Sequence, residues 1–297
     1  MLYFAKEKNT MPLPVQLIEC PRDAMQGWQE IIPTEKKIKY LQELLKVGFH
    51  TLDFGSFVSP KAIPQMADTR EVLQSLDWQS TQTKLLAIIA NSRGAIEAAS
   101  FAGVHYLGFP FSVSPTFQQK NTNSNIPESF DRVKEIQEIC NINGKELVIY
   151  LSMAFGNPYN DPYSEDVVLK QARQCHELGI DIISLADTVG MASAGQVGRL
   201  TELLINEMPG AVIGVHLHST PLNWQEKTEA AFLAGCRRFD GALKGIGGCP
   251  MAGNVLVGNM NTELLISYFT EKGMSPGLNQ DALNSCLSIA AEIFKDA

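Results

Sequence analysis

The sequence predicts an α/β protein closed into a (β/α)8 (TIM) barrel, with additional helices at its C-terminal end. Three observations carry that prediction. Eight short apolar runs recur along the 297 residues, helical patterns fall between them, and polar residues gather where the runs end. Strands that alternate with helices in this number suit a closed barrel better than an open sheet.

The runs are, in order, VQLIE (15–19), HTLDF (50–54), KLLAIIA (84–90) and HYLGF (105–109), then ELVIYLS (146–152), IDIISL (180–185), VIGVHLH (212–218) and RRFDGAL (237–243). Buried parallel strands read as near-continuous hydrophobic runs, because helices cover one face and neighbouring side chains pack the other. Between them, KKIKYLQELLKVG (36–48), SRGAIEAASFAG (92–103) and SEDVVLKQARQCHELG (164–179) are amphipathic at helical spacing. Each ends in glycine, which reaches φ > 0 without strain and so terminates helices. Two more helical patterns, near 261–272 and 279–295, follow the eighth run. The polar stretch PFSVSPTFQQKNTNSNIP (110–127) reads as a long loop, either a cover for the barrel mouth or a solvated connection. No linker or low-complexity segment divides the chain. Residues 1–13 are expected to be peripheral and 14–297 to form a single barrel domain that includes the C-terminal helices.

Composition narrows the class. The net charge is −8, from 32 acidic and 24 basic residues, with no Lys/Arg-rich run. This argues against a nucleic-acid partner, although a few cations in a cleft can still hold a small anionic substrate. No uncharged apolar stretch is long enough to span a bilayer, so no membrane association is expected. The six cysteines form no CxxC pair, which suits a reducing compartment. The N-terminal MLYFAKEKNT lacks signal- and transit-peptide character, and a cytoplasmic location is expected.

In a barrel of this kind, functional groups collect at the C-terminal ends of the strands. The first run ends in Glu19-Cys20-Pro21-Arg22-Asp23. An Arg-Asp pair alone is more often a structural salt bridge in a loop. The seventh ends in His216-Leu217-His218, where strand alternation puts both imidazoles on one face. Two packed histidines would be the bland reading, yet the chain has only five, and two share one strand end. After the eighth run, GIGGCPMAGNVLVGNM carries Cys249 and two candidate asparagines, Asn254 and Asn259. Glycines there let backbone approach a ligand closely. Asp23, His216, His218 and one asparagine together make a mixed oxygen and nitrogen set. Such a set suits Mg2+ or Mn2+ when substrate and water complete the octahedron. Zinc, which usually closes a tetrahedron with Cys or His in structural sites, fits it less well.

The stretch around Arg22-Asp23, then SFVSPKAIPQMAD (56–68), SLADTVG (184–190), VHLH (215–218), GIGGCP (245–250) and GNMNTELL (258–265), resembles the 3-hydroxy-3-methylglutaryl-CoA lyase family. The segments occur in family order over nearly the whole chain. SFVSPK with GGCP is specific to the lyase branch, whereas the RD pair and HxH identify only a wider group of metal-dependent barrel lyases and condensing enzymes. The resemblance implies that Asp23, His216, His218 and an asparagine bind the metal. Of the two candidates, Asn259 is the one followed by a family-like NTELL segment. Arg22 would stabilise an enolate oxygen, Cys249 would transfer a proton from a mobile loop, and Asp53 and Asp187 would lie behind the ligands or near the substrate. The implied reaction is retro-Claisen cleavage of an acyl-CoA to acetoacetate and acetyl-CoA, with His216 or Asp23 as base. A homodimer is implied, and leucine or isoprenoid-related acyl degradation would each fit.

The chain also departs from the family pattern. The first motif is compressed to ECPRD, Ala24 stands for the usual glycine, and Trp28-Gln29 replace a common acidic–basic pair. Ser219 follows His218 in place of Asp, Asp53 stands for a longer Glu, and Asn157 occupies a frequent Cys position. These differences alter the pocket and its acyl-CoA contacts while sparing Arg22 and the ligands. The alternatives are a Claisen-type condensing enzyme, an aldolase of the same barrel group, and a non-catalytic ligand-binding barrel.

Overall fold

The computed structural model describes residues 14–248, 257–274 and 276–295. Eight parallel strands close on themselves: β1 (Gln16–Glu19), β2 (Thr51–Ser56), β3 (Lys84–Ile88), β4 (Val104–Ser112), β5 (Glu146–Ser152), β6 (Ile182–Ala186), β7 (Val212–His216) and, after the short β8 (His218–Ser219), β9 (Arg238–Gly241). The seam pairs β1 with β9 through Gln16↔Arg238 and Glu19↔Gly241. Each of the eight expected runs thus became a barrel strand. Alternate side chains pack outward into a continuous layer that includes Phe54, Phe109, Phe111 and Phe239. Leu86, Tyr106, Val148, Tyr150 and Ile182 fill a smaller cluster inside the barrel. Gly108 keeps that interior from overpacking, since a Cβ there would come within 2.6 Å of Ile88.

Helices such as Thr34–Leu44, Ser92–Ala99, Glu165–Glu177 and Ala194–Glu207 form the outer ring. Two more, Thr262–Glu271 and Gln280–Ile293, follow the barrel as expected. No helix among the described residues is long and apolar enough to cross a membrane.

Two expectations are corrected. The stretch 110–127 is not an open loop. Strand β4 continues to Ser112, a helix spans Pro115–Thr122, and the long helix Ile126–Asn143 begins at once. Its polar residues are caps: the Ser114 side chain accepts from the Phe117 N–H, and Asn125 with Glu128 forms a reciprocal capping box. A proline in the first turn of each helix belongs to the same start signal. The second correction concerns His216 and His218, which do not share one strand. Strand β7 ends at His216, and His218 opens β8, which pairs antiparallel with β10 (Gly258–Asn259). This ribbon brings His218 opposite Asn259.

Candidate active site

Arg22 and Asp23 sit in the first turn of a short helix, Pro21–Gln26, rather than in a loop. Pro21 starts that helix because its missing N–H would be unpaired there anyway. Both side chains are buried at the floor of a cleft of about 400 Å3 at the barrel mouth. The same cleft is lined by His216 and His218, by Ile63 and Pro64 from the loop after β2, and by Phe117 and Lys120 from the helix Pro115–Thr122. The stretch 110–127 therefore does reach the mouth, as a helix.

The guanidinium of Arg22 is fixed on two sides. Nε and Nη2 donate to Asp53 (3.0 and 2.5 Å to Oδ2), and Nη1 donates to Asp23 Oδ1 at 3.0 Å. Burial disfavours the charge of Arg22, but Asp53 and Asp23 outweigh it and push the arginine further up, so it stays a cation. Burial pushes Asp53 up to about 6 against the pull of Arg22. Burial also acts on Asp23, yet Arg22, His216, His218 and the Asn259 amide outweigh it and hold the carboxyl down at about 2.

Ligand atoms of Asp23, His216 and His218 all lie within 4.8 Å of one another, and the two imidazoles are 5.5 Å apart between centroids. His216 Nδ1 lies 3.2 Å from Asp240 Oδ2, which fixes the ring and leaves Nε2 as its free nitrogen. Burial lowers His216, but Asp240 more than offsets it and the net shift is upward. Burial and the neighbouring His216 push His218 down to about 4, so that ring is neutral and available as a ligand. Cys20, His216 and Asp240 form a second close group, but burial and then Asp240 raise the Cys20 thiol well above its usual range. A protonated thiol is a poor ligand, so the group around Asp23 is the better cation seat.

Asn259 completes it. Its Nδ2 donates to Asp23 Oδ2 at 2.7 Å and to the Ile246 carbonyl at 3.0 Å, and its Oδ1 is buried with no partner among the described residues. Gly247, at φ 110°, is required beside it: a Cβ there would fall 2.4 Å from Asn259 Nδ2. An unpaired amide oxygen, a low-pKa carboxylate and two imidazoles fit a divalent cation that retains open positions.

Cys249 and Asn254 lie outside the described residues. Asp187 lies behind the site rather than in the cleft, with Oδ2 2.8 Å from Lys227 Nζ. Three participants escaped the sequence reading. Asp240 stood in plain view as a carboxylate inside an apolar strand run. Gln26, which donates to Asp23 Oδ1 at 2.7 Å, and Lys227, which is fully buried, carry no signal in helical spacing.

A cation seat beside a permanently charged, doubly anchored guanidinium is equipped to break or form a carbon–carbon bond next to a carbonyl, and the protein is of the carbon–carbon lyase class. Comparison with known proteins makes this specific. A family profile described as HMGL-like matches residues 15–289. The mitochondrial hydroxymethylglutaryl-CoA lyase of Rattus norvegicus is 32% identical over 93% of this chain and 84% of its own. The hydroxymethylglutaryl-CoA lyase of Pseudomonas mevalonii is 32% identical over 89% and 86%, respectively. The structure of an HMG-CoA lyase from Acinetobacter baumannii, in complex with coenzyme A and 3-methylmalate, superposes with a TM-score of 0.87 at 32% identity, covering 94% of this chain and 91% of that one. The chain belongs to the HMGL-like family, the 3-hydroxy-3-methylglutaryl-CoA lyases, whose members generally depend on a divalent metal.

Proposed function

We propose that the protein cleaves 3-hydroxy-3-methylglutaryl-CoA, or a close 3-hydroxy-3-carboxyalkyl thioester, to acetoacetate and acetyl-CoA. The observation that carries this reading is the close group of Asp23, His216 and His218 against Arg22 at the floor of one cleft. Mg2+ or Mn2+, held by Asp23, His216, His218 and Asn259, would supply Lewis acidity that lowers the pKa of the substrate's C3 hydroxyl.

The chain's own residues do the rest. The hydroxyl proton leaves to His216 or Asp23: His216 can take it only with Nε2 released from the cation, because Nδ1 faces Asp240, and Asp23 is the weaker base. The C2–C3 bond breaks, C3 becomes the ketone carbon of acetoacetate, and the bond's electron pair moves into the thioester enolate. Arg22 meets the charge that develops on the enolate oxygen, and Asp53 holds the guanidinium plane so that no reorientation is needed at that moment. Cys249 then protonates C2 to give acetyl-CoA. The same reading expects a homodimer, the commonest closed assembly. It also expects action in the cytoplasm, in keeping with the free cysteines.

The test is acetoacetate release from 3-hydroxy-3-methylglutaryl-CoA with Mg2+ or Mn2+, and again with chelator. Turnover should vanish on chelation, and Arg22→Ala and His216→Ala should lower kcat by about 100-fold or more. Turnover indifferent to chelator, or undiminished in both variants, would overturn the assignment.

A further inference from the structure

Lys227 lies in the helix Trp224–Leu233 and is fully buried. Its ammonium has three N–H donors and three acceptors, two in the turn after β6 and one in β8. Nζ donates to Asp187 Oδ2 at the end of β6 (2.8 Å), to the His218 carbonyl in β8 (2.8 Å), and more weakly to the Gly190 carbonyl (3.4 Å). Asp187 is itself pinned, because its Oδ1 accepts from the Ala192 N–H at 3.1 Å. Burying an ammonium is costly, and an apolar residue would pack a helix onto a barrel at least as well. What an apolar residue cannot do is grip a backbone carbonyl and a carboxylate at once.

The gripped carbonyl belongs to a residue whose imidazole faces Asp23 and His216. Strand β8 also pairs with β10 through His218↔Asn259, so whatever fixes β8 fixes the asparagine opposite. The Gly190 contact reaches the residue that leads into the same ribbon. Gly190 sits so close to Val257, two residues before Asn259, that a Cβ would come within 2.8 Å of it.

We propose that Lys227 is a positioning residue of the metal centre, holding the β8–β10 ribbon so that His218 and Asn259 are set before the cation arrives. The proposal rests on the metal reading of Asp23, His216 and His218. Outer-shell partners of metal ligands commonly carry 10–100-fold in affinity, which sets the size of the expected effect.

The experiment titrates Mn2+ into the purified full-length protein by electron paramagnetic resonance, with melting temperature measured alongside. Lys227→Met leaves Asp187 buried and unpaired, so it should lose both stability and affinity. Lys227→Met/Asp187→Leu removes both charges. Its melting temperature should recover toward wild type while Mn2+ binding stays at least about 10-fold weaker, with an altered hyperfine pattern. Asp187→Asn supplies the converse: it breaks the ion pair but spares the His218 grip, so it should melt lower yet bind Mn2+ within about threefold of wild type. The inference fails if the double variant binds like wild type, or if Asp187→Asn loses affinity as far as Lys227→Met does. Wild-type protein that takes up no Mn2+ would overturn the metal reading and this inference with it, and the two failures are told apart by that first titration.

Discussion

At the scale of the residue, His216 depends on a neighbour that is not itself a ligand. Asp240 Oδ2 takes up Nδ1 at 3.2 Å, and the same contact fixes the ring, selects its tautomer and raises its basicity. Asp240→Asn keeps the volume but removes the charge, and the amide can orient either face toward the ring. Mn2+ affinity and kcat should therefore each fall by about 10–100-fold with the fold intact. Isothermal titration with Mn2+, alongside steady-state kinetics, would measure this, and unchanged values would show that His216 needs no such partner. Arg22, Asp23, His216, His218 and Asn259 were legible because each is a chemically distinctive residue at a strand end or in a glycine-rich loop. Asp240 was equally visible as a type, but nothing in linear order says that it lies beside His216. Lys227 was hidden for a different reason. A lysine in a helix is ordinarily solvated, and only tertiary structure shows it turned inward.

At the scale of the element, barrel strands leave a strong trace in sequence, since burial on both faces demands apolar residues throughout. Capped helices inside a polar stretch leave a weak one, because Ser114 and Asn125 serve caps and loops alike. The β8–β10 ribbon left none at all: four residues paired in two short segments show no periodicity. Its geometry is nevertheless demanding. Gly258 lies so near the Gly245 carbonyl that a Cβ would come within 2.5 Å of backbone, which cannot yield as a flexible side chain would. Gly258→Ala should displace Asn259, the next residue, and destabilise the protein by about 1–3 kcal/mol. Mn2+ affinity should drop with it. Denaturant unfolding and metal titration of this variant together give the check, and an unaltered midpoint would mean that the ribbon shifts freely without loss.

At the scale of the whole molecule, the barrel must close, and Glu19 sits on the closing seam opposite Gly241. Its side chain is wholly buried. Oε1 accepts from the Leu243 N–H at 2.9 Å and Oε2 from the Thr262 hydroxyl at 2.6 Å. One carboxyl thus ties β1 both to the chain leaving β9 and to the helix Thr262–Glu271, the two flanks of the segment that carries Cys249 and Asn259. Burial raises its pKa to about 8, with the Thr262 and Leu243 hydrogen bonds opposing. Below the unfolded carboxyl's pKa both states hold the proton, and the group favours neither. As pH rises from there toward 8, the unfolded chain releases its proton while the folded one keeps it. The unfolded state is then progressively favoured, and the loss levels off above the folded pKa. Glu19→Gln never ionises, and its amide can still accept from Leu243 and donate to Thr262. The stability of the variant relative to wild type should therefore climb between pH 5 and pH 8, by about 2–4 kcal/mol. Every other titrating group cancels in that difference, so denaturation midpoints of the two proteins at both pH values isolate Glu19. A difference that does not change with pH would mean that the seam carboxyl is ionised throughout and that Leu243 and Thr262 hold it as an anion.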